Sequence, residues 1–246
     1  MKRFVLACLF LLSFSRAVSA NWLERTDFVD SLRIKPAVAH IIAPAILLGA
    51  GAFGLGKYYH NNINIPSKDF LADIRKNFYI RADDCLQYVP LAASMLLCID
   101  KKNRDGWQDK ILLAGTGTAI MGLLVTAGKS TVASLRPDGS KWNSFPSGHT
   151  AMAFLGAELV RMEYGPLWGV AAYFIAATTG VLRMYNERHW SNDVLGGAGV
   201  GILSAHIAYW LLPVERKLLG KINLFPYYSK YADGQPSVGL ALNYTF

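Results

Sequence analysis

The 246-residue chain contains little charge and little cysteine. Only 17% of its residues are charged, whereas 52% are hydrophobic. Soluble globular domains carry about 25% charged residues, so this composition argues against a soluble enzyme and favours a membrane protein. The three cysteines are Cys8, Cys85 and Cys98. They predict no disulfide, because the last two would lie near opposite ends of one helix.

Several functional signatures are missing as well. The sequence has no internal repeat, no low-complexity tract, no Gly-rich nucleotide loop and no carboxylate cluster of the kind that holds a metal ion. The net charge is +8, but no basic run is interleaved with aromatic residues. Such a charge suits anionic lipid or the cytoplasmic loops of a membrane protein. We therefore expect no cofactor, no metal and no nucleic-acid partner.

The apolar residues are grouped into segments of roughly 14 to 20, some at the short end of what spans a bilayer. These segments predict an all-α, membrane-embedded bundle of five to six core helices. The last helix opens with a small-residue face, Gly196 to Gly201, which lets helices approach closely. The helices are expected over residues 36–56, 86–99, 111–128, 149–162, 167–182 and 194–212.

The bundle is expected to fill residues 36–213, between two different termini. Residues 1–20 have a basic start, an apolar core and a small-residue end, which is typical of a signal peptide or of an uncleaved N-terminal membrane anchor. Residues 214–246 form a short polar C-terminal tail whose last residues alternate like a strand. Residues 67–81 predict an amphipathic helix that lies either in the headgroup region or on the surface of the bundle.

The stretch from Asn143 to Met152 passes from a polar turn directly into an apolar helical pattern. Ser147 is a favourable N-cap, and the amides of Ser147, Gly148 and His149 would then form a phosphate cradle at the positive end of the helix dipole. Taken alone, this segment could equally be an ordinary capped helix with an incidental histidine.

Other polar residues are predicted to reach the same end of the bundle. Lys129 closes one helix and Arg136 follows it, while Arg183, His189 and Asp193 lie between and within the last two helices. Singly, the cations could contact lipid headgroups, and Arg183 could pair with Asp193. Jointly, they indicate phosphoryl transfer, because fixed cations and helix amides stabilise the negative charge on the phosphoryl oxygens.

Two histidines are the candidates for the chemistry itself. His189 and Asp193 are four residues apart and would share a helical face, so Asp193 can accept the Nδ1–H of His189 and leave Nε2 free to attack phosphorus. His149 would protonate the leaving oxygen and later activate water.

Together these segments resemble a known family. They resemble the three-part signature of the type 2 phosphatidic acid phosphatases. The first part is Lys129 with Arg136-Pro137, the second is Pro146-Ser147-Gly148-His149, and the third is Arg183, His189 and Asp193. Bacterial class A acid phosphatases and vanadium haloperoxidases belong to the same superfamily. The resemblance implies an all-helical bundle and metal-independent hydrolysis. It also implies catalytic roles for His189, His149 and Asp193 and phosphate binding by Lys129, Arg136, Ser147, Gly148 and Arg183. Leu182 departs from the Ser that is usual before the arginine.

The exported start and the overall layout resemble bacterial lipid A phosphatases. The expected function is therefore removal of a phosphate from lipid A at the periplasmic face of the bacterial inner membrane. Several alternatives remain open: a phosphatase of undecaprenyl diphosphate, phosphatidic acid or phosphatidylglycerophosphate, a soluble periplasmic acid phosphatase, a haloperoxidase and a non-catalytic transporter.

The topology contains one conflict. A cleaved signal followed by a full span at 36–56 would put the site in the cytoplasm. Loop charges argue for the opposite orientation, because basic residues mark the face away from the site as cytoplasmic. We therefore expect residues 36–56 not to cross the membrane. The basic residues concerned are Lys101, Lys102, Arg104, Lys110, Arg216, Lys217 and Lys221.

Overall fold

The computed structural model describes residues 36–76, 78–96, 107–219, 222–230 and 236–244. Several predicted features lie outside the described residues: the signal or anchor at 1–20, Cys8, Cys98, Lys101, Lys102, Arg104 and Lys221. The elements in chain order are α1 (Pro36–Phe53), α2 (Lys57–Tyr59), α3 (Ile65–Arg75), α4 (Asp83–Leu86), α5 (Val89–Leu96), α6 (Trp107–Thr131), α7 (Gly148–Tyr164), α8 (Pro166–Tyr185), α9 (Ser191–Leu219), β1 (Ile222–Lys230) and β2 (Pro236–Tyr244).

The predicted helical bundle is confirmed, and its core lies around α7. Ala151, Ala153, Leu155 and Ala157 of this helix are fully buried. One apolar cluster joins α7 to α6 and α9, and a second joins it to α8. Alanine makes up most of the second cluster, so α8 packs closely against the central helix.

The predicted small-residue face of α9 makes two such close approaches. A Cβ placed on Gly201 would lie 2.3 Å from the carbonyl oxygen of Ala151, and one on Gly197 would lie 2.5 Å from that of Ser147. On the other side, a Cβ on Gly199 would lie 2.8 Å from Leu48 of α1. The glycines therefore let α9 contact the backbone of α7 and lie against α1.

Among the described residues, three helices are long and apolar enough to cross a membrane: Gln108–Thr131, Pro166–Tyr185 and Ser191–Leu218. A fourth crossing within these residues would use a bent pair, Ile41–Phe53 with Lys57–Arg75, whose axes differ by 81°. A five-residue π-helical stretch, His60–Asn64, joins α2 to α3. The bend is compatible with a broken span or with a re-entrant segment, and the latter agrees with the expectation that 36–56 does not cross.

Several predicted boundaries were wrong. The amphipathic helix expected over 67–81 begins at Ile65 and ends at Arg75, because Lys76 adopts a left-handed conformation with φ 44°. Its apolar residues Phe70 and Ile74 are exposed, as expected of a helix in contact with lipid. The helix expected over 86–99 begins at Val89 as α5, and Leu86 ends the separate helix α4, because Pro90 has no backbone N–H to continue a hydrogen-bonded helix from α4.

The C-terminal region differs from the prediction in two ways. Helix α9 continues through Pro213 to Leu219, so the helix reaches into the segment that was assigned to the tail. The strand-like pattern is confirmed as β2, but it pairs antiparallel with β1, from Ile222↔Tyr244 to Lys230↔Pro236. The tail therefore contains a two-stranded hairpin.

Candidate active site

Four helix ends meet on one side of the bundle. Lys129 lies in the last turn of α6, His149 in the first turn of α7, Arg183 in the last turn of α8 and Asp193 in the first turn of α9. The opposite ends of α6 and α9 are joined by two hydrogen bonds from Arg216 to Asp109, at 2.8 and 2.7 Å. The alternation of helices thus brings the predicted residues to the same end of the bundle.

The turn into α7 has the predicted N-cap. The Oγ of Ser147 accepts hydrogen bonds from the backbone N–H of Thr150 at 3.4 Å and from its hydroxyl at 2.9 Å. The phosphate cradle, however, needs a correction. The N–H of Ser147 donates to the carbonyl oxygen of Asp193 at 3.0 Å. This bond joins the start of α7 to the start of α9. Only the amides of Gly148 and His149 remain for an anion, since first-turn amides have no acceptor within their own helix.

His189 and Asp193 are brought together, but not on one helix. Helix α9 begins at Ser191, so His189 lies in the loop before it. Its Nδ1 lies 3.7 Å from the Oδ2 of Asp193. The hydroxyl of Ser144 donates to that same Oδ2 and lies 3.4 Å from the histidine Nδ1. The predicted contact is therefore longer than a hydrogen bond, and Ser144 connects the two side chains.

Burial controls the charge of His189. The residue is 3% exposed, and desolvation lowers its pKa to about 4, although Asp193 partly offsets this effect. At neutral pH the ring is therefore uncharged and keeps the lone pair that a nucleophile needs. Asp193 is held by further donors, because the backbone N–H of Trp190 donates to it at 2.8 Å.

Two predicted cations are held by the same residue. Lys129 donates to the carbonyl oxygen of Asn143 at 2.7 Å, and the Nε of Arg136 donates to the side-chain oxygen of Asn143 at 3.1 Å. Neither cation is neutralised by these contacts, because both acceptors are uncharged oxygens. Asn143 therefore positions two charges without cancelling them.

Arg183 does not pair with Asp193, which was the structural alternative. Its Nη1 lies 2.7 Å from the Oδ2 of Asp83 and 3.8 Å from the Oδ1 of Asp84. Its Nε is buried and has no hydrogen-bond partner among the described residues. A buried donor of a charged group without a partner is costly, so this atom favours an anion as a ligand.

A cleft of about 460 Å³ opens beside these groups. Arg136, His149 and Arg183 are among its lining residues, whereas His189 and Lys129 are not. His189 is nevertheless connected to a residue that lines the cleft, since its backbone N–H donates to the carbonyl oxygen of Arg183 at 3.3 Å. The full lining is Tyr79, Arg81, Asp83, Asp84, Arg136, His149, Arg183, Asn186 and Arg188.

Sequence reasoning missed four residues of this region: Asp83, Asp84, Ser144 and Asn186. The side-chain amide of Asn186 exchanges hydrogen bonds with the backbone of Ile80 at 2.7 and 3.2 Å and donates to Asp83 at 3.1 Å. It thereby holds the segment before α4 against the cleft. The only signal in the sequence was an adjacent pair of aspartates outside the motif.

His149 contacts one residue of this acidic pair, Asp84. Its Nε2 lies 3.2 Å from the Oδ1 of Asp84. Burial, and next the charge of Arg183, lower the pKa of His149, while the hydrogen bond to Asp84 acts in the opposite direction. The ring therefore holds a proton less readily than an ordinary histidine, and Asp84 favours its protonated form.

A third histidine, His206, lies in α9 and contacts a buried carboxylate. His206 contacts the buried Glu158 at 2.9 Å, and Glu158 also accepts from Arg161 and Tyr173, which agrees with a structural role. The side chain of His40 is not among those described. Within the described part of the chain, no group of three or more His, Cys, Asp or Glu residues could hold a metal ion.

Comparison with known proteins gives a family match over the site. The family model of the PAP2 superfamily matches residues 110–217, which include every predicted site residue. Lipid A 1-phosphatase of Porphyromonas gingivalis is 44% identical over 140 residues, which are 55% of this chain and 32% of that protein. Bacitracin transport permease protein BcrC of Bacillus licheniformis is 36% identical over 74 residues, which are 29% of this chain and 34% of that protein. The chain thus spans about a third of the length of these curated relatives.

Among solved structures, the crystal structure of Aquifex aeolicus LpxE is similar to this chain with a TM-score of 0.45 and 22% identity. The alignment covers 58% of this chain and 93% of that chain. At this TM-score the likeness carries no weight for function.

Proposed function

Because the family model of the PAP2 superfamily matches residues 110–217, we propose that this chain is a membrane-bound phosphatase that hydrolyses a lipid phosphate monoester through a phosphohistidine intermediate. The observation that carries the proposal is the position of the buried His189: Ser144 connects its ring to Asp193, and its backbone N–H donates to Arg183, whose buried Nε has no acceptor among the described residues. The proposed nucleophile is thus hydrogen-bonded through its backbone to the residue that carries a buried guanidinium donor.

In the first step, Lys129, Arg136, Arg183 and the first amides of α7 bind the phosphoryl oxygens. The Nε2 of His189 attacks phosphorus, and the bond from phosphorus to the leaving oxygen breaks with its electron pair. That oxygen takes a proton from His149. The fixed cations stabilise the charge on the phosphoryl oxygens, an effect worth about 10²–10³ in rate for one well-placed donor.

In the second step, His149, now neutral, takes a proton from water as the water attacks the phosphohistidine. The P–N bond breaks, and inorganic phosphate leaves. Asp193 stabilises the positive charge that His189 carries while it is phosphorylated. Ser147 contributes through its hydroxyl, because its N–H is already bonded to Asp193.

The proposed substrate is lipid A, and the proposed bond is the phosphate ester at its 1-position. The support is the 44% identity to a lipid A 1-phosphatase over 140 residues, together with three apolar helices able to hold the protein in a membrane. Phosphate release from purified lipids tests this. The full chain in detergent, with a chelator present, is given lipid A, undecaprenyl diphosphate or phosphatidic acid.

We expect phosphate release to be fastest from lipid A and to continue in the presence of the chelator. Faster release from one of the other lipids would replace lipid A as the substrate. Activity only on water-soluble esters, with the protein recovered in a detergent-free soluble fraction, would overturn the membrane lipid substrate. His189→Ala should abolish release while phosphate binding is retained. Full function of that variant would favour the non-catalytic alternative.

The proposed location of the site is the periplasmic face of the inner membrane. The supporting argument is that Lys110, Arg216 and Lys217 lie at the opposite ends of the helices and would be cytoplasmic under the positive-inside rule. A topology reporter fused after Lys57 tests this orientation. Reporter activity in the cytoplasm would overturn it.

A further inference from the structure

An acidic pair from outside the motif reaches the cleft. Asp83 and Asp84 belong to the four-residue helix α4 and precede the family match at residues 110–217. The two carboxylates have different environments. Asp83 is 2% exposed, and its oxygens contact Arg183 at 2.7 Å and Asn186 at 3.1 Å. It is therefore a buried anchor for Arg183.

Asp84 has a different neighbour. Its side chain is 59% exposed, and its Oδ1 lies 3.2 Å from the Nε2 of His149. The nearest cation, the Nη1 of Arg183, is farther away at 3.8 Å. Its main contact is thus with the histidine that the proposed mechanism uses as proton donor.

We propose that Asp84 is a positioning residue for His149: its carboxylate accepts the Nε2–H, holds the ring in one orientation and stabilises the protonated form. The Nδ1 of His149 is then the nitrogen that exchanges the proton with the leaving oxygen. This inference rests on the proposed phosphatase function, and it adds a residue that the three-part signature does not contain.

The charges around His149 explain why a carboxylate is needed. Arg183 of α8 faces the ring and disfavours a second positive charge, and burial acts in the same direction. Asp84 and, at longer range, Asp83 oppose both effects. Without Asp84, more of His149 would be neutral before the substrate binds, and a neutral ring is a poor acid. The cleft also holds the cations of Arg81, Arg136 and Arg188.

The proton balance follows directly. As the P–N bond to His189 forms, the bond to the leaving oxygen breaks and the proton passes from His149 Nδ1 to that oxygen. Asp84 keeps its negative charge throughout and takes no proton. In the hydrolysis step, the proton from water returns to Nδ1, and the carboxylate again stabilises the imidazolium.

The test uses Asp84→Asn and Asp84→Glu in the full-length protein. Asp73→Asn is the matched control, because Asp73 is an exposed carboxylate of α3 that does not line the cleft. We expect Asp84→Asn to lower kcat on lipid phosphate by about 10–100-fold, a part of the 10²–10⁴-fold that general acid catalysis supplies. The alkaline limb of kcat/KM should move to lower pH, and Asp84→Glu should recover part of the rate.

Two further measurements separate positioning from a purely structural effect. With p-nitrophenyl phosphate, whose leaving group needs no proton, the loss in Asp84→Asn should shrink to a few-fold. In a His149→Ala background, Asp84→Asn should cause no further loss, because residues that act as a unit are not additive.

Other outcomes would overturn the inference. An unchanged rate and pH profile would show that the contact has no role in catalysis. A lower KM and a higher rate would show that the carboxylate blocks the phosphate site. Equal losses with both leaving groups, or an additive loss in the His149→Ala background, would indicate a structural role. If the wild-type protein released no phosphate from any monoester, the proposed function and this inference would both fail. If the wild type were active and Asp84→Asn were equally active, only this inference would fail.

Discussion

Ser144 offers a sharp test of how the nucleophile is held. Its hydroxyl donates to the buried Asp193 and lies 3.4 Å from the Nδ1 of His189, whereas the direct distance from that Nδ1 to Asp193 is 3.7 Å. Ser144→Ala removes one hydrogen bond to a charged group, worth about 1.5–3 kcal/mol. Since about 1.4 kcal/mol is tenfold in rate, kcat should fall about 10–100-fold if most of this energy orients His189 in the transition state.

The loss should not be complete, because Asp193 keeps its hydrogen bond from the N–H of Trp190 at 2.8 Å. Steady-state phosphate release in detergent gives kcat, and thermal unfolding of the same sample reports on folding. Ser130→Ala is the control, since the exposed Ser130 hydroxyl donates only to the carbonyl oxygen of Ala127. Wild-type kcat in Ser144→Ala would refute the idea that this serine couples Asp193 to His189.

Two other predictions concern pH and packing. As pH rises through about 4, His189 loses its proton and kcat/KM should rise. The value of kcat/KM should fall again as His149 loses its proton, at a pH below the ordinary histidine value of about 6.5. A pH–rate profile with a maximum above pH 8 would contradict this assignment. Gly201→Ala should lower the free energy of unfolding by about 1–3 kcal/mol, because its Cβ would lie 2.3 Å from a backbone oxygen of α7. Gly122 has open space around it, so Gly122→Ala should leave the free energy of unfolding unchanged or raise it by up to about 1 kcal/mol. Unfolding in detergent measures both variants. Equal losses of stability in the two would contradict the close packing at Gly201.

Much of the site could be predicted because its residues lie at the ends of long apolar segments. Hydrophobic periodicity locates such ends to within a few residues, so Lys129, His149, Arg183 and Asp193 were expected on one side of the bundle. The N-cap of Ser147 was predicted for the same local reason, since capping depends on the residues next to the helix start. These are signals that a short stretch of sequence carries by itself.

The parts that were missed depend on contacts between distant segments. The helix that carries Asp83 and Asp84 has only four residues, so it has no periodicity, and its contact with Arg183 joins positions 100 residues apart. Ser144 lies in an irregular loop, and only the fold brings it between His189 and Asp193. The use of the Ser147 amide for docking α7 on α9 is likewise a tertiary effect.

The most direct test of the account is to trap the enzyme during turnover and locate the phosphoryl group. The full-length protein is mixed with a phosphate monoester lipid, quenched within milliseconds under non-acidic conditions, digested and analysed by mass spectrometry. The account predicts a phosphoryl group on the Nε2 of His189 that is absent from His189→Ala, with His149→Ala accumulating less of it when the leaving group needs a proton. Phosphate release that persists in His189→Ala, or a phosphoryl group on another residue, would contradict it.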